Sequence, residues 1–267
     1  MSQNSPTPIA IRLHPPISSI TAYDYPSARL CDEAGVQLIL VGDSLGMVVA
    51  GNEDTTSVTL DHMIYHTEMV RRGVKNAVLV SDLPIHTYDT PEQTVASSRR
   101  LIEAGADAVK LEGGFRQIQK IEALTEAGIP ICGHLGMLPQ RVREEGGYKK
   151  KGKTESEAEQ IVGAARALEE AGVFAIILES VVSSVAERVT KAVTVPTIGI
   201  GAGNCCDGEI RVLHDVIGGY PWFVPPFAKV YGNSAEVTSN AVSEFVRDIE
   251  GSLAIFRLGF GSKKSLA

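Results

Sequence analysis

Short apolar runs alternate along the chain with longer amphipathic segments, and this alternation is the strongest structural signal in the sequence. The clearest run is VQLILV at 36–41, which is rich in branched side chains and leads directly into Gly42 and Asp43. A run of this length and composition predicts a strand that is buried on both faces. Comparable runs predict further strands at 17–21, 77–82, 108–112, 129–136, 174–179, 195–201 and 210–216.

Between these runs, apolar residues recur at helical spacing and carry start and stop signals such as Thr90 and Gly73. Helices are predicted at 26–34, 59–72, 91–104, 116–125, 155–171, 182–192 and 234–249. Alternating strands and helices predict an α/β fold with a parallel sheet. Eight strand candidates favour a single closed (β/α)₈ TIM barrel over an open doubly wound sheet. The barrel is expected over 17–252, between a loose N-terminal arm at 1–16 and a C-terminal tail at 253–267.

Composition and charge narrow the classes of function. The 267-residue chain is 44% hydrophobic and carries a formal net charge of −7, which disfavours general nucleic-acid binding. No segment predicts a membrane span, and the N-terminus lacks the basic start and apolar core of a signal peptide. The chain has four cysteines, whose spacing gives no CxxC pair and no zinc pattern; they are Cys31, Cys132, Cys205 and Cys206. Adjacent Cys205 and Cys206 are expected to be free thiols in a loop. A cytoplasmic protein without membrane contact is therefore expected.

Four acids share one position relative to the predicted strands. Each of them lies at or just past the carboxyl end of an apolar run; they are Asp43, Asp82, Glu112 and Glu179. In a (β/α)₈ barrel these ends converge on one mouth, where the active sites of this fold lie. An isolated aspartate after a strand is more often a helix N-cap, so the inference depends on the equivalence of the four positions.

The first three acids predict a magnesium site. Crowded carboxylates need a cation to neutralise them, and Mg²⁺ takes one or two carboxylates together with waters and substrate. Asp43 and Asp82 are the expected ligands, with Glu112 binding directly or through water. Lys110 lies two residues before Glu112 on one strand, so both side chains face the same way. Lys110 is expected to grip a substrate carboxylate, and a structural ion pair with Glu112 is the alternative.

Glu179 lies two strands beyond Glu112, across the expected mouth, where its apolar neighbours suit a general base. His134 follows the fifth strand and is expected to orient the substrate, while a hydrogen-bonded structural role stays equally open.

Two weaker signals flank these residues. A glycine-rich turn with Gly199, Gly201 and Gly203 follows strand seven, where barrels often bind phosphate. The long 137–153 segment suggests a lid, and its lysines are either solvated or face an anionic ligand; they are Lys149, Lys150, Lys151 and Lys153.

Nine longer motifs occur in order between about residue 17 and residue 231. They are TAYDYPSA at 21–28, VGDSLGMVV at 41–49, YHTEMVRRG at 65–73, SDLP at 81–84, VKLEGG at 109–114, CGHLGMLPQ at 132–140, GGYK at 146–149, LES at 178–180 and IGIGAGNCCDG at 198–208. Together they resemble the ketopantoate hydroxymethyltransferase family, within the phosphoenolpyruvate mutase and isocitrate lyase superfamily.

The resemblance implies a (β/α)₈ barrel that uses Mg²⁺ in pantothenate biosynthesis. The family moves a hydroxymethyl group from 5,10-methylenetetrahydrofolate to 3-methyl-2-oxobutanoate, giving 2-dehydropantoate. By resemblance, the metal ligands fall on Asp43, Asp82 and Glu112, and the proton acceptor falls on Glu179. Substrate contacts fall on Asp43, Ser44, Asp82 and Lys110. Relatives are usually decamers, so a homo-oligomer is expected.

Four segments depart from the family pattern: the residues before TAYDY, Lys150 and Lys151 in the lid, Pro226, and the C-terminal RLGFGSKKSLA. None of them includes a metal or base position, so they bear on folate affinity, lid closure and assembly. Two alternatives stay open. One is a folate-independent carbon–carbon lyase or mutase of the same superfamily that acts on a 2-oxo acid. The other is a non-catalytic relative, which the retention of four costly acids and Lys110 disfavours.

Overall fold

Eight parallel strands close into a barrel in chain order, with the last strand pairing with the first. The computed structural model describes residues 13–261, with side chains described as far as 251. The strands are β1 (Ile17–Thr21), β2 (Leu38–Val41), β3 (Val78–Asp82), β4 (Ala108–Glu112), β5 (Ile131–Gly136), β6 (Ala175–Glu179), β7 (Thr197–Ile200) and β8 (Gly208–Arg211). The predicted closed (β/α)₈ barrel is thereby confirmed. Most of the predicted 1–16 arm and the end of the 253–267 tail lie outside the described residues.

Helices follow the strands and begin where the sequence supplies caps. Thr59, Thr90 and Thr154 each accept a hydrogen bond from the backbone N–H three residues further on. The helices are α1 (Tyr25–Glu33), α2 (Leu45–Val48), α3 (Leu60–Gly73), α4 (Pro91–Glu103), α5 (Ile118–Glu126), α6 (Glu155–Ala171), α7 (Ser183–Ala192), α8 (Leu213–Ile217) and α9 (Ser234–Gly261).

Two predicted elements have a boundary that differs from the structure by more than two residues. The eighth strand was expected at 210–216, but β8 covers Gly208–Arg211. A side chain at Gly208 would meet the Ile17 carbonyl oxygen at 2.4 Å, so a glycine outside any apolar run brings β8 close enough to pair with β1. The last helix was expected to end at Ile249, but α9 continues to Gly261.

The chain divides into two compact units, Met1–Leu213 and His214–Ala267. The first unit contains the barrel strands, and the second contains α9. The predicted boundary at 252 stays a prediction. Within the described part of the chain, no helix combines the length and apolar character needed to cross a membrane. All four cysteines are free thiols, which confirms the prediction for Cys205 and Cys206.

Alternate residues of every strand meet inside the barrel in one buried apolar cluster. Leu38 and Leu40 of β2, Val78 and Val80 of β3, and Ala108 of β4 belong to this cluster. Side chains alternate between the two faces of a strand, so the next inward position of each row lies at the carboxyl end. The inward rows are therefore apolar near the amino ends of the strands and become polar at the mouth.

The close contact between β5 and β6 at Gly136 yields a prediction about stability. Gly136 has a φ of +100°, and an added Cβ would lie 2.3 Å from the Glu179 carbonyl oxygen. Gly35 also has a positive φ, of +87°, but an added Cβ there meets open space. Gly35→Ala should cost about 1 kcal/mol of unfolding free energy, which is the backbone penalty alone. Gly136→Ala should cost at least about 2 kcal/mol more, because overpacking is added.

Urea unfolding of both variants measures the difference. Equal losses of stability would mean that β5 and β6 do not approach each other as closely at this position as the structure has them.

Candidate active site

The acids at the mouth continue the inward rows of their strands. Asp82 follows Val78 and Val80 on β3, and Glu112 follows Ala108 and Lys110 on β4. The strand register places Asp82 beside Lys110 and Glu112 beside His134. These four side chains are all buried. The barrel therefore gathers charged groups that are separated by as many as 52 residues in the sequence, from Asp82 to His134.

Lys110 is the central cation of this cluster. Its Nζ lies 2.6 Å from Asp82 Oδ1, 3.8 Å from Glu112 Oε1 and 3.4 Å from His134 Nδ1. Burial lowers the pKa of Lys110, but the charges of Asp82, Glu112 and Asp43 outweigh burial and raise it. Lys110 is therefore a permanent cation. The ion pair with Glu112, which the sequence left open as an alternative, is present, and Lys110 also forms a shorter ion pair with Asp82.

His134 joins Glu112 to Glu179. Its Nδ1 lies 3.3 Å from Glu112 Oε1, and its Nε2 lies 3.2 Å from Glu179 Oε2. Burial and the charge of Lys110 lower the pKa of His134, but its close contacts with the carboxylates of Glu112 and Glu179 outweigh both effects and raise the pKa to about 9. The imidazole is therefore a second cation at neutral pH.

Glu179 differs from the other three acids in its access to solvent. Its side chain is 17% exposed, whereas those of Asp82 and Glu112 are 2% exposed. The sequence suggested only apolar neighbours for Glu179, and this was wrong because the parallel register brings the imidazole of His134 from β5 against it. Glu179 is thus a carboxylate at the edge of the cluster with a cationic hydrogen-bond partner.

Asp43 follows β2 and carries the least compensated charge. Its Oδ2 accepts a hydrogen bond of 2.9 Å from the Gln140 side chain, and its backbone N–H donates to Asp82 Oδ2 at 3.1 Å. Burial, followed by the charges of Asp82 and Glu112, raises the pKa of Asp43 well above its usual range. Burial also raises the pKa of Asp82 in spite of Lys110. The pKa of Glu112 is lowered, because hydrogen bonding to His134 and the charges of His134 and Lys110 outweigh burial.

This charge balance fits a hard divalent cation beside Asp43 and Asp82. Asp82 Oδ1 and Glu112 Oε1 are buried and receive no hydrogen bond of good geometry, and their close contacts are the ion pairs. Among residues 13–261, no group of three His, Cys, Asp or Glu side chains forms a ready metal-binding set. Mg²⁺ usually takes only one or two carboxylates and keeps several waters, so a complete set is not required.

The N-cap alternative for the acids does not hold. Thr90 caps α4, the helix that follows Asp82, and Ser44 is the N-cap residue of α2, next to Asp43. Ser44 makes no capping bond with its side chain, and its hydroxyl instead lies 2.8 Å from the hydroxyl of buried Tyr23. The Ser44 hydroxyl is thus held at the mouth, where the resemblance places a substrate contact.

Two residues in the cluster had no predicted role. Gln140 contacts Asp43 and, through its backbone N–H, Glu112 Oε2 at 3.1 Å. Tyr88 donates its hydroxyl to Gln140 Oε1. Neither residue is charged at neutral pH, so a search for acids and bases along the sequence does not find them. The only signal was the position of Gln140 at the end of the CGHLGMLPQ motif.

The weaker sequence signals have structural explanations. Lys149 Nζ donates to the Glu145 carbonyl oxygen, and Lys151 pairs with the Glu145 carboxylate, so both fasten the 137–153 segment internally. Lys150 and Lys153 are exposed. A side chain at Gly203 would meet the Ser183 hydroxyl oxygen at 2.3 Å, so close packing against α7 accounts for this glycine. Phosphate binding at the glycine-rich turn stays a prediction.

The raised pKa of His134 predicts a pH-dependent stability. A histidine whose pKa rises from 6.5 in the unfolded chain to about 9 in the folded chain stabilises the fold through its charged form. This contribution is fully present below about pH 6.5, is lost as the pH rises through about 9, and amounts to about 3 kcal/mol. Thermal unfolding of the metal-free protein between about pH 6 and pH 10 should show this loss. It should be absent from His134→Gln, and parallel curves for the two proteins would contradict a buried imidazolium.

Comparison with known proteins assigns the chain to a family. The family model described as ketopantoate hydroxymethyltransferase matches residues 10–253. The chain is 49% identical over 236 residues to the 3-methyl-2-oxobutanoate hydroxymethyltransferase of Clostridium beijerinckii, covering 88% of this chain and 86% of the relative. It is 52% identical over 237 residues to the protein of the same name from Caldivirga maquilingensis, covering 88% and 89%.

Solved structures with similar folds are more distant in sequence. A phosphoenolpyruvate phosphomutase from Streptomyces platensis aligns with a TM-score of 0.63 and 13% identity, over 90% of this chain and 85% of that one. A phosphonopyruvate hydrolase crystallised with oxalate and Mg²⁺ aligns with a TM-score of 0.60 and 16% identity, over 91% and 86%. These structures share the fold, whereas the family match and the relatives near 50% identity carry the assignment. This chain therefore belongs to the ketopantoate hydroxymethyltransferase family.

Proposed function

We propose that this chain transfers a hydroxymethyl group from 5,10-methylenetetrahydrofolate to 3-methyl-2-oxobutanoate and gives 2-dehydropantoate. The observation that carries the proposal is the pairing of a partly exposed carboxylate, Glu179, with a buried acid cluster that contains a permanent cation. Such an arrangement suits removal of a proton next to a carbonyl group, with the resulting charge stabilised on the opposite side. The names of the relatives near 50% identity support the same reaction.

Mg²⁺ is the proposed metal, held by Asp43 and Asp82, with Glu112 contributing directly or through water. When bound, the ion supplies a Lewis acid that stabilises negative charge on the keto oxygen of the 2-oxo acid. The cation would stabilise the ionised form of Asp43 most, because burial and the negative charges of Asp82 and Glu112 disfavour that form. The metal would thus neutralise the excess negative charge of the cluster and also supply the Lewis acid that the reaction requires.

The substrate carboxylate is proposed to lie between Lys110 and Ser44. An ammonium group has three N–H donors, and the short contact with Asp82 Oδ1 uses one of them. The Ser44 hydroxyl, paired with Tyr23, supplies a neutral donor at the end of β2. Two fixed donors orient the carboxylate so that C3 of the 2-oxo acid faces Glu179.

Glu179 is the proposed general base, and His134 is the residue that positions it. His134 Nε2 lies 3.2 Å from Glu179 Oε2, so this ion pair holds Oε2 and leaves Oε1 to take the proton from C3. Removing this proton gives an enolate, whose C3 then forms a bond with the methylene carbon of the folate. Both carbon–nitrogen bonds of this methylene carbon break: the bond to C3 replaces one, and a bond to the oxygen of a water molecule replaces the other. The proton removed from C3 and one proton of the water go to the two folate nitrogens. Tetrahydrofolate and 2-dehydropantoate are the products.

We also infer that the enzyme works in the cytoplasm as a homo-oligomer, in which both substrates are small molecules. The resemblance to decameric relatives supports the oligomer, and the four free cysteines are compatible with a reducing compartment.

Exchange of the C3 proton tests the base and the metal together. In D₂O, with Mg²⁺ and without folate, the protein should exchange the C3 proton of 3-methyl-2-oxobutanoate for deuterium, and NMR follows the loss of signal. Glu179→Gln keeps the shape of the side chain but cannot accept the proton, so exchange should fall by about 100-fold or more. Removing Mg²⁺ with EDTA should have a similar effect on the wild-type protein.

Glu144→Gln is the matched control, because Glu144 is an exposed glutamate of the 137–153 segment that is 3.7 Å from Arg141. It should exchange at the wild-type rate. Retained exchange in Glu179→Gln would show that Glu179 is not the base. Exchange that is unchanged by EDTA would show that this step does not need the metal.

Dependence on folate separates the transferase from a lyase or mutase of the same superfamily. With substrate and Mg²⁺ present, 2-dehydropantoate should form only when 5,10-methylenetetrahydrofolate is added, and one tetrahydrofolate should appear per product. The reason is that the enolate needs an external one-carbon donor. Mass spectrometry of the products measures both quantities, and cleavage or rearrangement of the 2-oxo acid without folate would favour the alternative.

A further inference from the structure

We propose that Gln140 is a positioning residue that fixes Asp43 and Glu112 for metal binding. This inference rests on the proposed function, in which both carboxylates serve the Mg²⁺ site. Gln140 is 2% exposed and lies in the 3₁₀ turn Pro139–Arg141 at the start of the 137–153 segment. It is the residue of this segment that contacts two of the proposed metal ligands.

The orientation of the Gln140 amide is fixed by its neighbours. The Leu83 carbonyl oxygen can only accept a hydrogen bond, so the amide atom 3.0 Å from it is the NH₂ nitrogen. The second hydrogen of this nitrogen is donated to Asp43 Oδ2 at 2.9 Å. Since an amide NH₂ has two hydrogens, Nε2 is fully used by one backbone acceptor and one carboxylate.

Tyr88 secures the other end of the amide. Its hydroxyl donates to Gln140 Oε1, and its ring is buried. Burial, together with the surrounding carboxylates, raises the pKa of Tyr88, so the hydroxyl stays protonated and stays a donor. An amide rotated by 180° would place its NH₂ against the Tyr88 hydroxyl and its oxygen against the Leu83 carbonyl. It would also face Asp43 with an acceptor, so a single orientation satisfies all three neighbours.

The backbone of Gln140 holds the second carboxylate. Its N–H donates to Glu112 Oε2 at 3.1 Å, while the side chain reaches Asp43. One residue thus occupies one oxygen of each acid, Oδ2 of Asp43 and Oε2 of Glu112. Asp43 Oδ1 is thereby left for a cation. Glu112 Oε1 already faces Lys110 at 3.8 Å and His134 at 3.3 Å, although it is one of the buried atoms without a good hydrogen bond.

The neutrality of the amide explains why glutamine suits this position. Lys110 already places a positive charge 2.6 Å from Asp82. A further cation hydrogen-bonded to Asp43 would neutralise this carboxylate and repel Mg²⁺ at short range. An uncharged donor orients the carboxylate and leaves its charge available to the metal.

Mg²⁺ titration by calorimetry, on protein stripped of metal with EDTA, tests the proposal without measuring activity. Gln140→Met keeps the length and approximate volume of the side chain but removes both amide functions. Its dissociation constant for Mg²⁺ should rise by about 10- to 100-fold, the usual effect of removing a partner of a metal ligand. Tyr88→Phe, which frees the amide to rotate, should raise the constant by a smaller factor, at least about 3-fold.

Gln117→Met is the matched control. Gln117 is also a buried glutamine near the mouth, but its Nε2 donates to the Glu112 carbonyl oxygen and its Oε1 accepts from Lys120, so it contacts no carboxylate. It should lower the melting temperature to an extent similar to Gln140→Met and change the Mg²⁺ constant by less than about 2-fold, since its contact with Glu112 is to the backbone carbonyl and not to the carboxylate.

Each outcome decides the proposal. A wild-type Mg²⁺ constant in Gln140→Met, or equal effects in Gln140→Met and Gln117→Met, would overturn it while leaving the proposed function intact. If Gln140→Met does not fold, Tyr88→Phe decides, and an unchanged constant in that variant overturns the proposal. A wild-type protein that binds no Mg²⁺ would overturn the metal part of the proposed function and this inference together.

Discussion

The buried ammonium of Lys110 is the interaction on which the mouth of the barrel depends. Three carboxylates without access to water would repel one another strongly, and only nearby positive charge allows them to stay ionised together. Lys110 lies 2.6 Å from Asp82 and 3.8 Å from Glu112, and His134 adds a second cation on the far side of Glu112. Two cations leave one negative charge of the three buried acids uncompensated. This charge is that of Asp43, whose pKa is raised well above its usual range. This imbalance is the electrostatic basis of the proposed metal site.

Acids at the opposite end of the strands show what a purely structural carboxylate looks like here. Asp32 accepts from the backbone N–H groups of Asn76 and Ala77, and Asp107 accepts from that of Leu79. Asp207 accepts from the backbone N–H of Thr197. These acids fasten the amino ends of strands by satisfying backbone donors, which is a contribution to stability. Asp82 and Glu112 at the mouth also accept from backbone N–H groups, but each of them additionally contacts buried charged side chains and keeps one buried oxygen without a good hydrogen bond.

The 137–153 segment is connected both to this cluster and to the surface around it. Gln140 reaches Asp43 and Glu112, while Arg143 forms a two-point ion pair with Asp54 at 2.7 and 3.2 Å. The Lys151 N–H donates to the Ser180 carbonyl oxygen, directly after Glu179. A movement of this segment would therefore shift the proposed metal ligands and the proposed base. The segment for which the sequence suggests a lid is hydrogen-bonded to Asp43 and Glu112 through Gln140 and to Ser180, next to Glu179, through Lys151.

The sequence by itself determined the barrel and the acids at its mouth. Apolar runs of strand length, helix caps such as Thr90, and the two-residue spacing of Lys110 and Glu112 are local features that hold wherever the segments lie. The tertiary structure alone decided which groups meet. Strand register sets His134 against Glu112 and Glu179, and Gly208 completes the closure of the barrel. Gln140 meets Asp43 across 97 residues through a neutral hydrogen bond. Such contacts depend on three-dimensional distance, which neither periodicity nor charge along the chain encodes.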